Sequence, residues 1–342
     1  MPCVDAAVRE PDAEEAGRVD GQPAIAAGDL SPAPPPRPPL PTNACPPGPH
    51  RIRVGTAGWE HPSLLACGRF YPADCRSSIE RLQHYASRFA LVEVTSTEDE
   101  WPSPEVVQAW ADATPADFVF NLRVFRVFSG RSIPVDALPM TVRAALGAFT
   151  HHTVQPDDLP PAVHELMWES FLQALQPLQA AGKLGALQWR WPVGFAAAAP
   201  ARVLLDDWRA RLTDHLLAVA FDDPSWFHPG QAHATLEFQK ERGLVNVVED
   251  GRLQGVHATA AHWEVTNPHL ALVRLPGPPD AGAGADDHPH PDLSDAELEN
   301  LAMNVRSLSQ RVLNTHVVFD DAVQDRAQRH AERLMRLLGL GR

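Results

Sequence analysis

Residues 182–221 open with Gly182-Lys183-Leu184-Gly185-Ala186-Leu187-Gln188-Trp189-Arg190-Trp191 and close with Leu216-Leu217-Ala218-Val219-Ala220-Phe221. Leu184–Trp191 and Leu216–Phe221 have the length and apolar content of strands. Between them Val203, Leu204, Trp208 and Leu212 recur at helical spacing. A helix between two such strands is a crossover, and crossovers join parallel neighbours. Near-continuous apolar strands suit a sheet covered on both faces. Gly182 stands where a preceding helix, around Ala162–Ala181, would end.

The same alternation extends in both directions. Strands are expected at Ile52–Thr56, Leu91–Thr95 and Phe118–Arg123, and after the central pair at Leu244–Val248, Leu270–Leu275 and Thr315–Phe319. Helices are expected around Ser78–Arg88, with Ile79, Leu82 and Tyr85 on one face, and from Ser103, which can cap a helix opened by Pro104. Others follow around Gln231–Arg242, around Ser294–Gln310 with Ser294 and Glu297 as a capping box, and on to Leu338. Eight such units predict an α/β fold closed into a (β/α)8 TIM barrel. An open doubly wound sheet is the alternative. Gly251–Pro268 is a poor helix, and an insertion-like stretch follows the third strand.

The 342-residue chain carries 34 prolines, 13 of them in residues 1–50, including Pro34-Pro35-Pro36-Arg37-Pro38-Pro39. That segment cannot bury enough apolar surface to offset chain entropy, so a disordered Pro-rich tail is expected over 1–50 and the barrel over 51–342. The tail could serve a protein partner as a Pro-rich ligand. The formal charge of −14 disfavours a general nucleic-acid-coating role, which needs a basic footprint. The acidic N-terminus resembles neither a signal nor a transit peptide, and no stretch approaches the ~20 apolar residues of a membrane span. A cytoplasmic protein with no membrane association is expected. Cys3, Cys45, Cys67 and Cys75 form no CxxC and read as unpaired thiols. Pro276–Pro291 and His151-His152 read as loop sequence and not as metal sites.

Ligands of such barrels bind at the C-terminal strand ends. Read strand by strand, these ends offer Thr56 and Trp59, Glu93, Arg123, Arg190, Asp222 and Asp223, Glu249 and Asp250, Arg274, and Asp320 and Asp321. From them Trp59, Glu93, Arg123, Arg190, Asp222, Asp250, Arg274 and Asp320 are taken as ligand-binding positions. Trp189 and Trp191, flanking Arg190, could stack on a sugar or base. The arginine fork suits phosphate or carboxylate groups, so a small anionic ligand is one reading. A closed layer of Arg–Asp pairs over the core is the other. A carboxylate metal site from Asp222, Asp250 and Asp320 is weaker than either, and no cofactor is indicated. No GxGxxG, P-loop, GxSxG or HExxH occurs. Ser225, His228 and Asp222 lie too close along one loop to converge as a triad.

The ordered series Val54-Gly55-Thr56-Ala57-Gly58-Trp59, Arg69-Phe70-Tyr71-Pro72, Val92-Glu93-Val94-Thr95-Ser96-Thr97, Asp223-Pro224-Ser225-Trp226-Phe227 and Val273-Arg274-Leu275 resembles the DUF72 (YecE-like) family over about residues 51–338. The resemblance implies a TIM barrel and no established reaction. Its polar mouth departs from the family pattern. Glu93 is kept, but the following aromatic pair becomes Glu98-Asp99. The family's strand-three lysine is Arg123, its Gln-Leu-Pro is Arg190-Trp191-Pro192, and its Arg-Leu-His-Gly is Arg274-Leu275-Pro276-Gly277. The histidines it would offer as general acid or base are gone. These departures favour a ligand-binding barrel that has lost chemistry. The alternative is a hydrolase or lyase acting on a phosphate-bearing small molecule or nucleotide, with Glu93 or Asp250 as general base.

Overall fold

The computed structural model describes residues 50–147, 152–252, 261–277 and 292–341. Eight parallel strands close into a barrel: β1 (Arg51–Ala57), β2 (Leu91–Val94), β3 (Val119–Arg123), β6 (Leu184–Trp191), β7 (Leu216–Phe221), β8 (Val245–Glu249), β9 (Leu270–Pro276) and β10 (Asn314–Asp320). Two short strands, β4 (Ile133–Pro134) and β5 (Thr153–Val154), pair antiparallel inside the insertion after β3. The helices are α1 (Pro62–Cys67), α2 (Ser78–Arg88), α3 (Pro104–Ala113), α4 (Met140–Leu146), α5 (Pro161–Ala180), α6 (Ala199–Arg211), α7 (Ala232–Glu241), α8 (Asp295–Ser309) and α9 (Arg326–Leu338). This is the predicted (β/α)8 barrel, and the open doubly wound sheet is ruled out by the β1–β10 pairing.

Local chemistry sets the element ends. Ser103 accepts from Val106 N with Pro104 in the first turn, and Ser294 and Glu297 close a capping box on α8. Gly182 follows α5 with φ 65°, its N–H on Gln179 O, while Lys183 N returns to Leu178 O at 2.8 Å. Gly55 permits the closest approach in the sheet: a Cβ there would lie 1.9 Å from Leu91 O. Tyr85 bridges the same spot, its hydroxyl donating to Leu91 O and accepting from Thr56 N.

The two faces of each strand diverge in chemistry. Outward residues pack against the helices. Trp189 and Trp191 are of this kind, with ring centroids 5.3 and 4.9 Å from Trp208 on α6. They are buried in the wall and do not line the mouth, because strand alternation turns them away from it. The apolar face of α6 is Ala201, Leu205 and Trp208, with Leu212 beyond its end, whereas Val203 and Leu204 are exposed. The expected face was thus rotated, because the small Ala201 carries the inner contact. No α-helix occurs between β8 and β9 among the described residues; Thr266 Oγ1 instead donates to Leu244 O and accepts from Asn246 N.

The expected tail, apart from His50, lies outside the described residues, as do Cys3, Cys45, His151 and most of Pro276–Pro291. Cys67 and Cys75 are free thiols. Among the described residues no helix is long and apolar enough to cross a membrane.

Candidate functional site

Register decides which strand-end residues face inward. Glu249 pairs with Arg274, Arg190 with Ala220, and Glu93 with both Ala57 and Asn121. Paired residues of parallel strands share a face, so Glu93, Arg123, Arg190, Glu249, Arg274 and Asp320 crown the interior. Contacts across the barrel bear this out. Arg274 on β9 meets Glu93 on β2, and His316 on β10 lies 3.1 Å from Asn121 on β3.

The crown is one continuous chain of ion pairs. Glu93 Oε1 accepts from Arg123 Nε and from Arg274 Nε, each at 3.1 Å. Arg123 Nη1 donates to Glu98 Oε2 at 2.8 Å. Arg274 also pairs with Asp320, and its Nη1 is 3.3 Å from Glu249 Oε1. Glu249 Oε1 takes a second donor, Arg190 Nη1, at 2.6 Å. Arg190 then forks onto Asp222 through Nε and Nη2, at 3.1 and 2.8 Å. A fourth guanidinium, Arg131 from the insertion after β3, pairs with Glu98, while its Nε is buried without a hydrogen-bond partner.

Depth divides this chain. The side chains of Glu93 and Arg274 are sealed at 0% and 2% exposure, whereas Arg190, Asp222 and Arg131 stand at 27%, 27% and 28%. Burial pushes the carboxyls of Glu249 and Asp320 up, but their arginine neighbours outweigh it and hold both below the usual range. Asp222 goes the other way: burial raises it, and nearby Glu249 adds to that, against the pull of Arg190. Arg131 is lowered, first by burial and also by Arg190.

Six of the eight expected positions therefore come together: Glu93, Arg123, Arg190, Asp222, Arg274 and Asp320. Two do not. Asp250 turns onto Arg252, 2.5 Å away, and its strand neighbour Glu249 takes the inward place. Trp59 is buried with its ring edge-on to Trp110 at 5.6 Å. Nor does an open three-arginine clamp form, since Arg123, Arg190 and Arg274 each already hold carboxylates. Arg131 belongs to the insertion after β3 and to no strand end, so strand-end positions do not point to it. With Asp222 and Asp320 on arginines and Asp250 on Arg252, these three build no metal site; no such cluster occurs among the described residues. Ser225 bonds Asp223, at 2.6 Å, and His228 Nδ1 accepts from Gly230 N, so no triad assembles.

Comparison with known proteins places the fold. Residues 53–342 match the family described as "Protein of unknown function DUF72". The chain is 22% identical over 298 residues to the UPF0759 protein YunF of Bacillus subtilis (strain 168), covering 84% of this chain and 95% of that relative. A DUF72 family protein of Enterococcus faecalis V583, EF0366, superposes with a TM-score of 0.64 at 24% identity, over 85% of this chain and 96% of that one. The DUF72 family protein TM1631 of Thermotoga maritima MSB8 gives a TM-score of 0.62 at 23% identity, over 85% and 100%. At these identities the likeness concerns the barrel.

Proposed function

The chain belongs to the DUF72 family, and from that footing we propose that its barrel mouth binds a small anionic ligand through Arg190 and Arg131. The supporting observation is the Arg190–Asp222 fork at the rim. Asp222 is the crown carboxylate whose proton affinity is raised, so it is the weakest-held anion on an accessible arginine. A phosphate or carboxylate group offers the same fork geometry and can take its place. Arg131, part-exposed and within electrostatic reach of Asp222 and Arg190, sets a second guanidinium beside the fork. Arg123 and Arg274 lie beneath, each already bound to carboxylates of Glu93, Glu249 and Asp320.

Acid–base catalysis is less well supported. Glu249 and Asp320 are held ionised, so neither suits a general acid near neutral pH. One observation favours the hydrolase or lyase reading: Glu93 Oε2 is buried with no hydrogen-bond partner, a free acceptor on the barrel axis. A base there would need a substrate reaching below the arginines.

Sulfate and phosphate titrations of the whole chain, followed by calorimetry and melting temperature, test the binding reading. Both anions are expected to raise the melting temperature. Arg190→Ala and Arg131→Ala should each weaken binding about tenfold, the worth of one charge-assisted hydrogen bond. No shift with any phosphate, sulfate or carboxylate would refute it.

A further inference from the structure

Below Arg190, two residues down β6, sits Gln188. It is 1% exposed, and both its amide oxygen and its amide nitrogen lack a hydrogen-bond partner. Gln188 and Arg190 share the inward face, as the pairing of Arg190 with Ala220 and of Gln188 with Ala218 shows. Two more orphaned groups lie on the neighbouring strands. Asn121 Nδ2 on β3 has no partner, although its Oδ1 accepts from Ala186 N at 3.0 Å, and Glu93 Oε2 on β2 has none either. Buried amides and carboxylates in native proteins are almost always satisfied. Four unsatisfied atoms on three adjacent strands therefore ask for an occupant with donors and acceptors.

The strand adjoining β6 carries only small side chains beside these groups. Barrel interiors of this type are filled mainly by bulky branched side chains. On β7 the inward positions beside Gln188 and Arg190 are Ala218 and Ala220, followed by Asp222 at the rim. This strip carries nothing larger than a methyl group and runs from the Arg190–Asp222 fork down to the Gln188 amide.

We infer that the ligand is a hydroxyl-bearing anion, a polyol or sugar phosphate or a polyhydroxy acid. Its charged end takes Arg190, its body lies along Ala218 and Ala220, and its hydroxyls meet Gln188, Asn121 and Glu93. This rests on the anion-binding reading of the mouth. Two residues along a strand separate Arg190 from Gln188 by about 6.6 Å, which sets the spacing between the anionic group and the first deep hydroxyl at four or five bonds. A hydroxyl suits Gln188 because it both donates and accepts, as the two orphaned amide atoms require.

Calorimetry with inorganic phosphate, glycerol 3-phosphate, ribose 5-phosphate and neutral ribose separates the parts. The polyol phosphates are expected to bind at least tenfold tighter than inorganic phosphate. Gln188→Leu should abolish that gain while leaving phosphate affinity unchanged. Because it replaces an unpartnered buried amide with an apolar side chain, its melting temperature should not fall, which verifies folding. Ala220→Leu, which fills the strip, should remove the same gain. Phosphate binding without any gain from the polyol, or a gain that survives Gln188→Leu, overturns the inference and leaves the anion site standing. Binding of neutral ribose without phosphate binding, lost in Gln188→Leu, upholds the polyol contacts and overturns the anion site. No binding of any of the four overturns both.

Discussion

Arg274 on β9 and Glu93 on β2 meet across the barrel axis, Nε to Oε1 at 3.1 Å, with both side chains closed off from solvent. Neither could persist in so dry a place alone. Arg274 is held charged against burial by Asp320, Glu93 and Glu249 together. Removing one partner of such a pair strands the other's charge. Arg274→Ala should therefore destabilise the barrel by about 3–5 kcal/mol, measured by urea unfolding at neutral pH. A loss below about 1 kcal/mol would mean that solvent reaches the crown and that the pair behaves like a surface bridge.

Acid should weaken the fold before the carboxylates titrate. Burial pushes His316 down to about 3 and His330 down to about 4, so both are neutral when folded. The unfolded chain takes up these protons near pH ~6.5. The stability they contribute is whole above that value and is lost as pH falls toward the folded values. Two such groups give a slope of about 2.7 kcal/mol per pH unit between roughly pH 6 and 4. Urea midpoints across that range measure it, and His316→Gln should lower the slope by about 1.4 kcal/mol per pH unit. An unchanged slope in the variant would show that His316 already binds its proton in the fold.

The β1–β2 seam predicts a steric effect. Gly55→Ala would drive a Cβ against Leu91 O, a backbone atom that cannot yield without moving the strand. A loss of about 3 kcal/mol is expected, the upper end for overpacking. Tyr85→Phe should cost about 1–3 kcal/mol, because Thr56 N loses its acceptor there. Melting curves of both variants check this; a Gly55→Ala protein as stable as the parent would mean that β1 and β2 are further apart.

These effects also mark how far the sequence could be read. Strand runs such as Leu216–Phe221 announce themselves because both faces are buried and both are apolar, and Ser103, Ser294 and Gly182 mark helix ends by local chemistry alone. The crown was legible only as a set of strand-end charges. Choosing between Glu249 and Asp250 needs the register of β8 against β9, and a one-residue slip reverses every side chain. The expected strand Leu244–Val248 stops one residue short of Glu249, so its inward role was hidden. Trp189 and Trp191, expected as stacking partners for a ligand, turn outward because they alternate with the inward Arg190. Arg131 is positioned by a long insertion whose path no periodicity describes.

Asp222 supplies the sharpest test of ligand exchange at the rim. Its folded pKa is raised, so the stability it contributes is present below the unfolded value of about 3.9 and is lost as pH rises through the folded one. At neutral pH the ionised group is a net burden, and Asp222→Asn should leave the melting temperature unchanged or higher. Asp320→Asn should lower it, because Asp320 is held below its usual range by Arg274 and Arg123 against burial. Binding follows the same logic. Protonating Asp222 releases the Arg190 fork, so anion affinity in the parent should strengthen as pH falls through the Asp222 pKa. Asp222→Asn should bind about tenfold tighter at pH ~7.5, the worth of one fork bond no longer contested, with little further change on acidification. Sulfate is the probe of choice, since it does not titrate in this range. Calorimetry at two pH values reads both quantities, and a variant that binds sulfate no better than the parent would show that Asp222 is not the group an incoming anion displaces.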